Sequence, residues 1–149
     1  GRTIKIAEEE LISEFPSYSK QINMYYLNHR NMIKGIYQES INTLRYLKKN
    51  KFQCFVLSNW SAETFQGMTE EYSFLKEFDG IIVSGEVKFI KPDPKIYHIA
   101  INNFNLIPNE TVFIDDNLEN IKAAQTLGFK TIHLKDPSII RKKIEIFIN

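Results

Sequence analysis

Apolar residues in the first third of the chain recur at helical spacing, with no strand signal among them. A first run, Ala7-Glu8-Glu9-Glu10-Leu11-Ile12, is acidic at its start, as a helix N-terminus favours, and Phe15-Pro16-Ser17 punctuates it. A second passes through Ile22, Tyr25, Tyr26 and His29. A third passes through Ile41, Leu44, Leu47 and Lys48 and ends at Asn50. After Lys51 the pattern changes. Residues 52–57 (FQCFVL) make a short apolar run without helical spacing, read as a buried strand that stops at Ser58-Asn59, and a helical segment follows from Ser61. Residues 79–84 (DGIIVS) predict a second strand, flanked by Gly80 and Gly85. Lys91-Pro92-Asp93-Pro94 opens a helix, with Asp93 as N-cap and Pro94 at the first helical position. Residues 111–114 (TVFI) predict a third strand, ending in Asp115-Asp116. The helix after it carries Leu118, Ile121, Ala124 and Leu127 on one face and stops at Gly128. Residues 130–134 (KTIHL) predict a fourth strand, and the tail from Asp136 ends in a short amphipathic helix.

Strands separated by helices of about ten residues or more imply right-handed crossovers and a parallel sheet covered on both faces, an α/β fold with a helical preface. The composition fits: 149 residues, 43% hydrophobic and 25% charged, suit one globular domain. With 19 basic against 18 acidic residues, no strong field favours nucleic acid or an anionic membrane. The Lys-rich stretches 48–51 and 141–143 sit at the polar ends of apolar-periodic runs and read as solvated helix faces. A single cysteine, Cys54, excludes an internal disulfide and a multi-cysteine zinc site, and its apolar neighbours make it a small buried hydrophobe. No apolar stretch approaches the roughly 20 residues that span a bilayer, and no signal core opens the chain. A cytoplasmic protein is the expectation.

In open α/β sheets ligands bind at the carboxyl ends of the strands. Three polar signals lie there: Ser58-Asn59, Asp115-Asp116, and Lys91 in the loop beyond the second strand. A hydroxyl with helix-start amides binds phosphate oxygens, an ammonium neutralises their charge, and hard carboxylate oxygens hold Mg²⁺. Taken singly, each has a structural reading. Ser58, Asn59 or Asp116 would cap a helix, and Lys91 is one of fifteen lysines. Asp115 is harder to explain away, because adjacent carboxylates at a buried strand end repel unless a cation compensates. Trp60 reads equally as a wall of a substrate pocket or as core. His29, His98 and His133 show no metal-ligand spacing and read as structural.

FVLSNWSAETF, then FDGIIVSGEVKFIKPDPKIYHIA, then TVFIDDNLENIKAAQTLGF, together resemble the haloacid dehalogenase superfamily of hydrolases. The closest likeness is to its subgroup with a small helical cap after the first strand. The likeness spans roughly residues 33–134, and the helical preface resembles the second half of the cap. It implies a cap part at 1–36 and a Rossmann-like three-layer core at 37–149. It also implies that Ser58 binds the transferring phosphoryl group and that Lys91 steadies nucleophile and phosphate. Asp115 and Asp116 would complete a Mg²⁺ site, with Asp116 the direct ligand and Asp115 acting through water. Asn59 would contact phosphate through its backbone amide as much as its side chain.

The family's nucleophile is an aspartate closing a central N-terminal strand. Here the aspartates are Asp79, Asp93, Asp115, Asp116 and Asp136, none earlier than Asp79. Removing that strand from the resembled fold leaves two buried edges with unpaired backbone groups. Three explanations are open: this is the C-terminal part of a longer protein (the favoured one, the opening Gly1 being no initiator Met), a truncated product, or a chain completed by another polypeptide segment. The resemblance implies a Mg²⁺-dependent phosphatase of small phosphorylated metabolites. A 2-haloacid dehalogenase, which needs no metal and in this family usually lacks the first acid of the pair, is the second reading. A noncatalytic binding module built on the hydrolase fold is the third. The substrate is not legible.

Overall fold

A computed structural model describes residues 3–148. Helix α1 (Ile4–Glu14) is capped by the Thr3 side chain, which accepts the Ile6 N–H. A 3-10 turn at Pro16 leads into α2 (Ser19–Leu27). The second apolar run stops short of His29: Asn28 closes the helix, its N–H on the Met24 carbonyl, and His29 begins a separate 3-10 turn (His29–Met32). Helix α3 (Gln38–Lys49) buries Ile41, Leu44 and Leu47 at the expected spacing and ends at Asn50.

Four strands of four residues follow: β1 (Phe55–Ser58), β2 (Gly80–Val83), β3 (Val112–Asp115) and β4 (Lys130–His133). They are shorter than their apolar runs. Residues 52–54 approach β1 without joining it, and Asp115 closes β3 as its last residue. Between β1 and β2 the helical segment breaks at Gly67 (φ 80°) into α4 (Ala62–Phe65) and α5 (Met68–Glu71). A short α6 (Ser84–Val87) follows β2. Helix α7 (Pro94–Phe104) then starts with Asp93 accepting the Lys95 N–H and Pro94 in its first turn. Helices α8 (Leu118–Thr126) and α9 (Ile140–Ile148) complete the chain.

The strands form two separate parallel pairs, β1 with β2 and β3 with β4. Both pairs share the same two apolar layers. On one face Leu57, Ile82 and Phe113 pack with Ile96, Tyr97 and Ala100 of α7 and Ala124 of α8. On the other, Cys54, Val112, Ile114 and Ile132 pack with Leu47 of α3 and Ile144 of α9. This is a three-layer α/β core whose sheet is in two halves, as the resemblance implies for a sheet lacking its central strand. Every residue of β1 and β3 keeps some solvent exposure, whereas β2 and β4 hold fully buried residues. Cys54 is likewise half-buried, and burial pushes its thiol pKa up.

Asp79 joins three elements at the amino ends of the first pair. Its carboxylate takes the Lys48 ammonium from α3 and the Cys54 N–H (2.7 Å), while its own N–H donates to the Cys54 carbonyl (2.8 Å). These bonds hold its carboxyl below the usual carboxylate range, the Lys48 contact foremost. At the carboxyl ends, the loops after β1 and β2 are locked together. The Ser84 hydroxyl accepts the Trp60 N–H and donates to its carbonyl, and the Gly85 N–H donates to that same carbonyl (3.0 Å). A Cβ on Gly85 would run into the Ala62 backbone. Gly85→Ala is therefore expected to cost about 1–3 kcal/mol in urea denaturation, through forced separation of the two loops. A change below about 0.5 kcal/mol would show that the loops part freely.

Candidate active site

The loop beyond β2 carries Lys91 back over the sheet to β3, where its Nζ lies 2.7 Å from Asp115 Oδ2. Both side chains are deeply placed, 10% and 6% exposed. Such a pair is stable only if the remaining polar valences are met. Asp115 Oδ1 accepts the Asn117 N–H (2.8 Å) and the Asn120 side-chain amide (3.0 Å). Burial alone would raise the Asp115 carboxyl pKa. The Lys91, Asn117 and Asn120 bonds outweigh burial and hold it below the ordinary carboxylate value. Asn120 is itself anchored, its carbonyl accepting the fully buried Tyr97 hydroxyl (2.9 Å).

Lys91 is fixed at its backbone too. The Asn59 side chain donates to the Lys91 carbonyl (2.9 Å) and accepts the Lys91 N–H (2.8 Å), a two-bond clamp from the end of β1. The Asn59 amide group is thus engaged with Lys91, which leaves the Asn59 backbone N–H as its group for an oxyanion. The chain Asn59–Lys91–Asp115 ties the carboxyl end of β1 to that of β3. Around it lie three polar groups without hydrogen-bond or ionic partners among the described residues: the half-buried Ser58 hydroxyl, the exposed Asp116 carboxylate and the buried Asn120 Oδ1. The fold therefore gathers Ser58, Asn59, Lys91, Asp115 and Asp116 at one end of the strands. It gives the two aspartates different jobs: Asp115 is spent on Lys91, and Asp116 faces solvent.

Three residues beyond the sequence reading join them. Asn117 and Asn120 bond Asp115, and His133 Nε2 lies 2.9 Å from the Asp116 carbonyl, a contact that needs the proton on Nε2. His133 arrives because β4 pairs in parallel with β3, opposite Asp115. Asn120 follows Asp116 by one helical turn, a signal the sequence held; nothing in it marked His133. Trp60 stands between the preface and the core. Its ring meets His29 edge-on (5.5 Å between centroids) and Phe65 (6.1 Å), and its Nε1–H donates to Thr64 (2.9 Å). His29 Nδ1 is buried there without a partner. The other aspartates have structural employment: Asp79 with Lys48, and Asp93 and Asp136 as caps. No cluster of three or more metal-ligating side chains occurs among the described residues.

The sequence profile of haloacid dehalogenase-like hydrolases matches residues 2–134. The chain belongs to this family. Among curated relatives, (S)-2-haloacid dehalogenase 1 of Pseudomonas sp. (strain CBS-3) is 31% identical over 98 residues, covering 66% of the chain and 43% of the relative. Sesquiterpene phosphatase astK of Aspergillus oryzae is 34% identical over 93 residues, 62% of the chain and 47% of the relative. The chain thus spans less than half the length of each. A solved haloacid dehalogenase-family enzyme of Bacteroides thetaiotaomicron, complexed with magnesium and inorganic phosphate, superposes with a TM-score of 0.59 at 29% identity, over 65% of this chain and 52% of that one. Hydrolases of both chemistries share this haloacid dehalogenase-like core.

The Lys91–Asp115 pair makes a stability prediction. Lys91→Met leaves a buried carboxylate with only neutral donors and is expected to cost about 3–5 kcal/mol at pH 7. Adding Asp115→Asn should restore most of that loss in urea denaturation. Because the Asp115 pKa is depressed by folding, its contribution is complete above about pH 4 and is lost as pH falls through the lower folded-state value. The penalty for Lys91→Met should therefore shrink in acid. A single-variant cost under 1 kcal/mol at neutral pH would mean the pair is dispensable.

Proposed function

We propose that this chain is the phosphate- and magnesium-binding part of a phosphatase of small phosphorylated metabolites, working through an aspartyl-phosphate. The observation that carries the reading is the division of labour in the acidic pair: Asp115 is neutralised by Lys91, while Asp116 keeps an exposed carboxylate without a partner among the described residues. An uncompensated hard carboxylate beside a lysine and a hydroxyl suits a divalent cation held next to phosphate. Mg²⁺ commonly takes one or two protein carboxylates and fills its remaining positions with phosphate oxygens and water, so these residues fit it. Asp116 would hold it directly. Asp115, with three hydrogen bonds already accepted, would reach it through water. Bound there, Mg²⁺ would supply charge neutralisation to the phosphate oxygens.

Ser58 donates its hydroxyl to a phosphate oxygen, the Asn59 backbone N–H adds a second donor, and the Lys91 ammonium shares the charge of the transferring group. Asn59 keeps Lys91 at its post through the backbone clamp. The attacking aspartate comes from outside these 149 residues, since each aspartate within them has another place. The phosphatase relative and the magnesium–phosphate complex support the reading. The dehalogenase relative supports the second reading, cleavage of 2-haloacids, in which a departing halide needs no cation and Asp116 has no task. A noncatalytic binding module is the third.

Magnesium titration and aryl-phosphate turnover test this on the polypeptide that includes the nucleophile. Asp116→Asn should weaken Mg²⁺ binding by about tenfold or more. Ser58→Ala should leave Mg²⁺ binding unchanged and slow turnover roughly 10²-fold, as loss of one phosphate donor does. The 149-residue chain by itself should not turn over. Metal-free hydrolysis of a 2-haloacid, with Asp116→Asn silent, would establish the dehalogenase reading instead.

A further inference from the structure

Strand alternation decides which way the end of β4 faces. Ile132 and Leu134 enter the layer under α3 and α9, so His133 between them lies on the other face of the sheet, the side of α8. The parallel register sets it opposite Asp115, where the chain leaves β3 and turns toward α8. The bonds between the two strands close with the Leu134 N–H on the Asp115 carbonyl (2.9 Å). The His133 ring reaches one peptide further, its Nε2 lying 2.9 Å from the Asp116 carbonyl. A carbonyl only accepts, so Nε2 carries the proton. That contact lies beyond the strand ladder, and pairing of β3 with β4 does not require it.

Together these bonds fix the backbone on both sides of the Asp116 Cα. A residue has only two soft backbone dihedrals, because the peptide units flanking it are planar. The unit before Asp116 is held at its oxygen by Leu134. The unit after it is held at both poles: its oxygen takes the His133 proton, and its N–H, that of Asn117, donates to Asp115 Oδ1 (2.8 Å). With both planes set, the direction of the Asp116 Cα–Cβ bond is set as well. The carboxylate beyond it is exposed and without a partner among the described residues. We propose that His133 is a positioning residue for Asp116, its Nε2–H holding the Asp116–Asn117 peptide so that the carboxylate is presented in a fixed direction before a divalent cation binds. This rests on the phosphatase reading, which makes Asp116 the direct ligand, and goes beyond it by giving β4 a task at the site. Partners that orient a metal-ligating group from behind typically raise metal affinity about tenfold to a hundredfold.

The test uses the polypeptide that includes the nucleophile. His133→Phe keeps a flat ring and loses the donor, and His133→Gln restores an N–H donor at similar reach. Calorimetric titration should show the Mg²⁺ dissociation constant raised about tenfold in His133→Phe and returned to within about threefold of wild type in His133→Gln. In aryl-phosphate turnover, the loss should appear in the Mg²⁺ concentration for half-maximal rate far more than in the rate at saturating Mg²⁺. Without metal, the NMR shift of the Asp116 carbonyl carbon should move in His133→Phe and return in His133→Gln, a reversal that a general loss of stability would not produce. Scalar coupling across the Nε2–H to carbonyl bond in the wild type needs no variant, and its absence would overturn the proposal. Wild-type Mg²⁺ affinity in His133→Phe, with Asp116→Asn weakened, would overturn the positioning role and leave the phosphatase reading standing. So would equal weakening in both His133 variants, since the ring's bulk rather than its donor would then matter. Wild-type Mg²⁺ affinity in Asp116→Asn would instead fail the phosphatase reading itself, and His133 would have no ligand to position.

Discussion

A buried charge pair governs this molecule. Lys91 and Asp115 are almost wholly removed from water, and their mutual attraction offsets desolvation only because the other polar positions around them are filled. Asn117 and Asn120 fill those on Asp115, and Asn59 grips the lysine's backbone. Each partner comes from a different place along the chain: the end of β1, the loop beyond β2, the end of β3, and the first turn of α8. The pair can form only when all of these are in position, so it acts as a latch on the carboxyl end of the sheet. It also separates the acidic pair, because Asp115 is engaged by an ammonium and two amides while its neighbour Asp116 has no partner among the described residues.

The latch spans an interruption in the sheet. Two parallel pairs share the layers above and below them, and the helices α3, α7, α8 and α9 bind both halves into one core. Hydrophobic burial is indifferent to whether strands are hydrogen-bonded, so the layers hold without a continuous ladder. The ladder is directional and short-ranged. Among the described residues β1 and β3 each pair with one strand alone, and every residue in them keeps some solvent exposure. The core and the interruption therefore coexist, with polar side chains gathered at the carboxyl ends of the interrupted strands.

Much of this was legible in the chain. Ile41, Leu44 and Leu47 marked α3, Asp93-Pro94 marked the start of α7, and four apolar runs marked four strands, because periodicity and capping are local properties. The motifs at Ser58, Lys91 and Asp115-Asp116 lie at the carboxyl ends of the strands, where Lys91 meets Asp115, and the family likeness is matched by a profile over residues 2–134. Strand limits and burial were not legible. Whether Phe52 or Phe55 begins β1, and whether that strand is enclosed, depends on neighbours from elsewhere in the chain.

What the sequence alone determined, then, is the order of elements, the parallel α/β class, and which residue types stand at the strand ends. What only the tertiary structure decided is how those residues divide their work. No spacing rule distinguishes Asp115 from Asp116, or shows that the Asn59 side chain is occupied by Lys91 and that His133 stands against the Asp116 carbonyl. Those assignments turn on hydrogen bonds between groups 17 to 32 residues apart, formed only after the strands pair and the helices pack. A linear pattern records which groups are available; the directionality of hydrogen bonds, acting at distances near 3 Å, decides which of them meet.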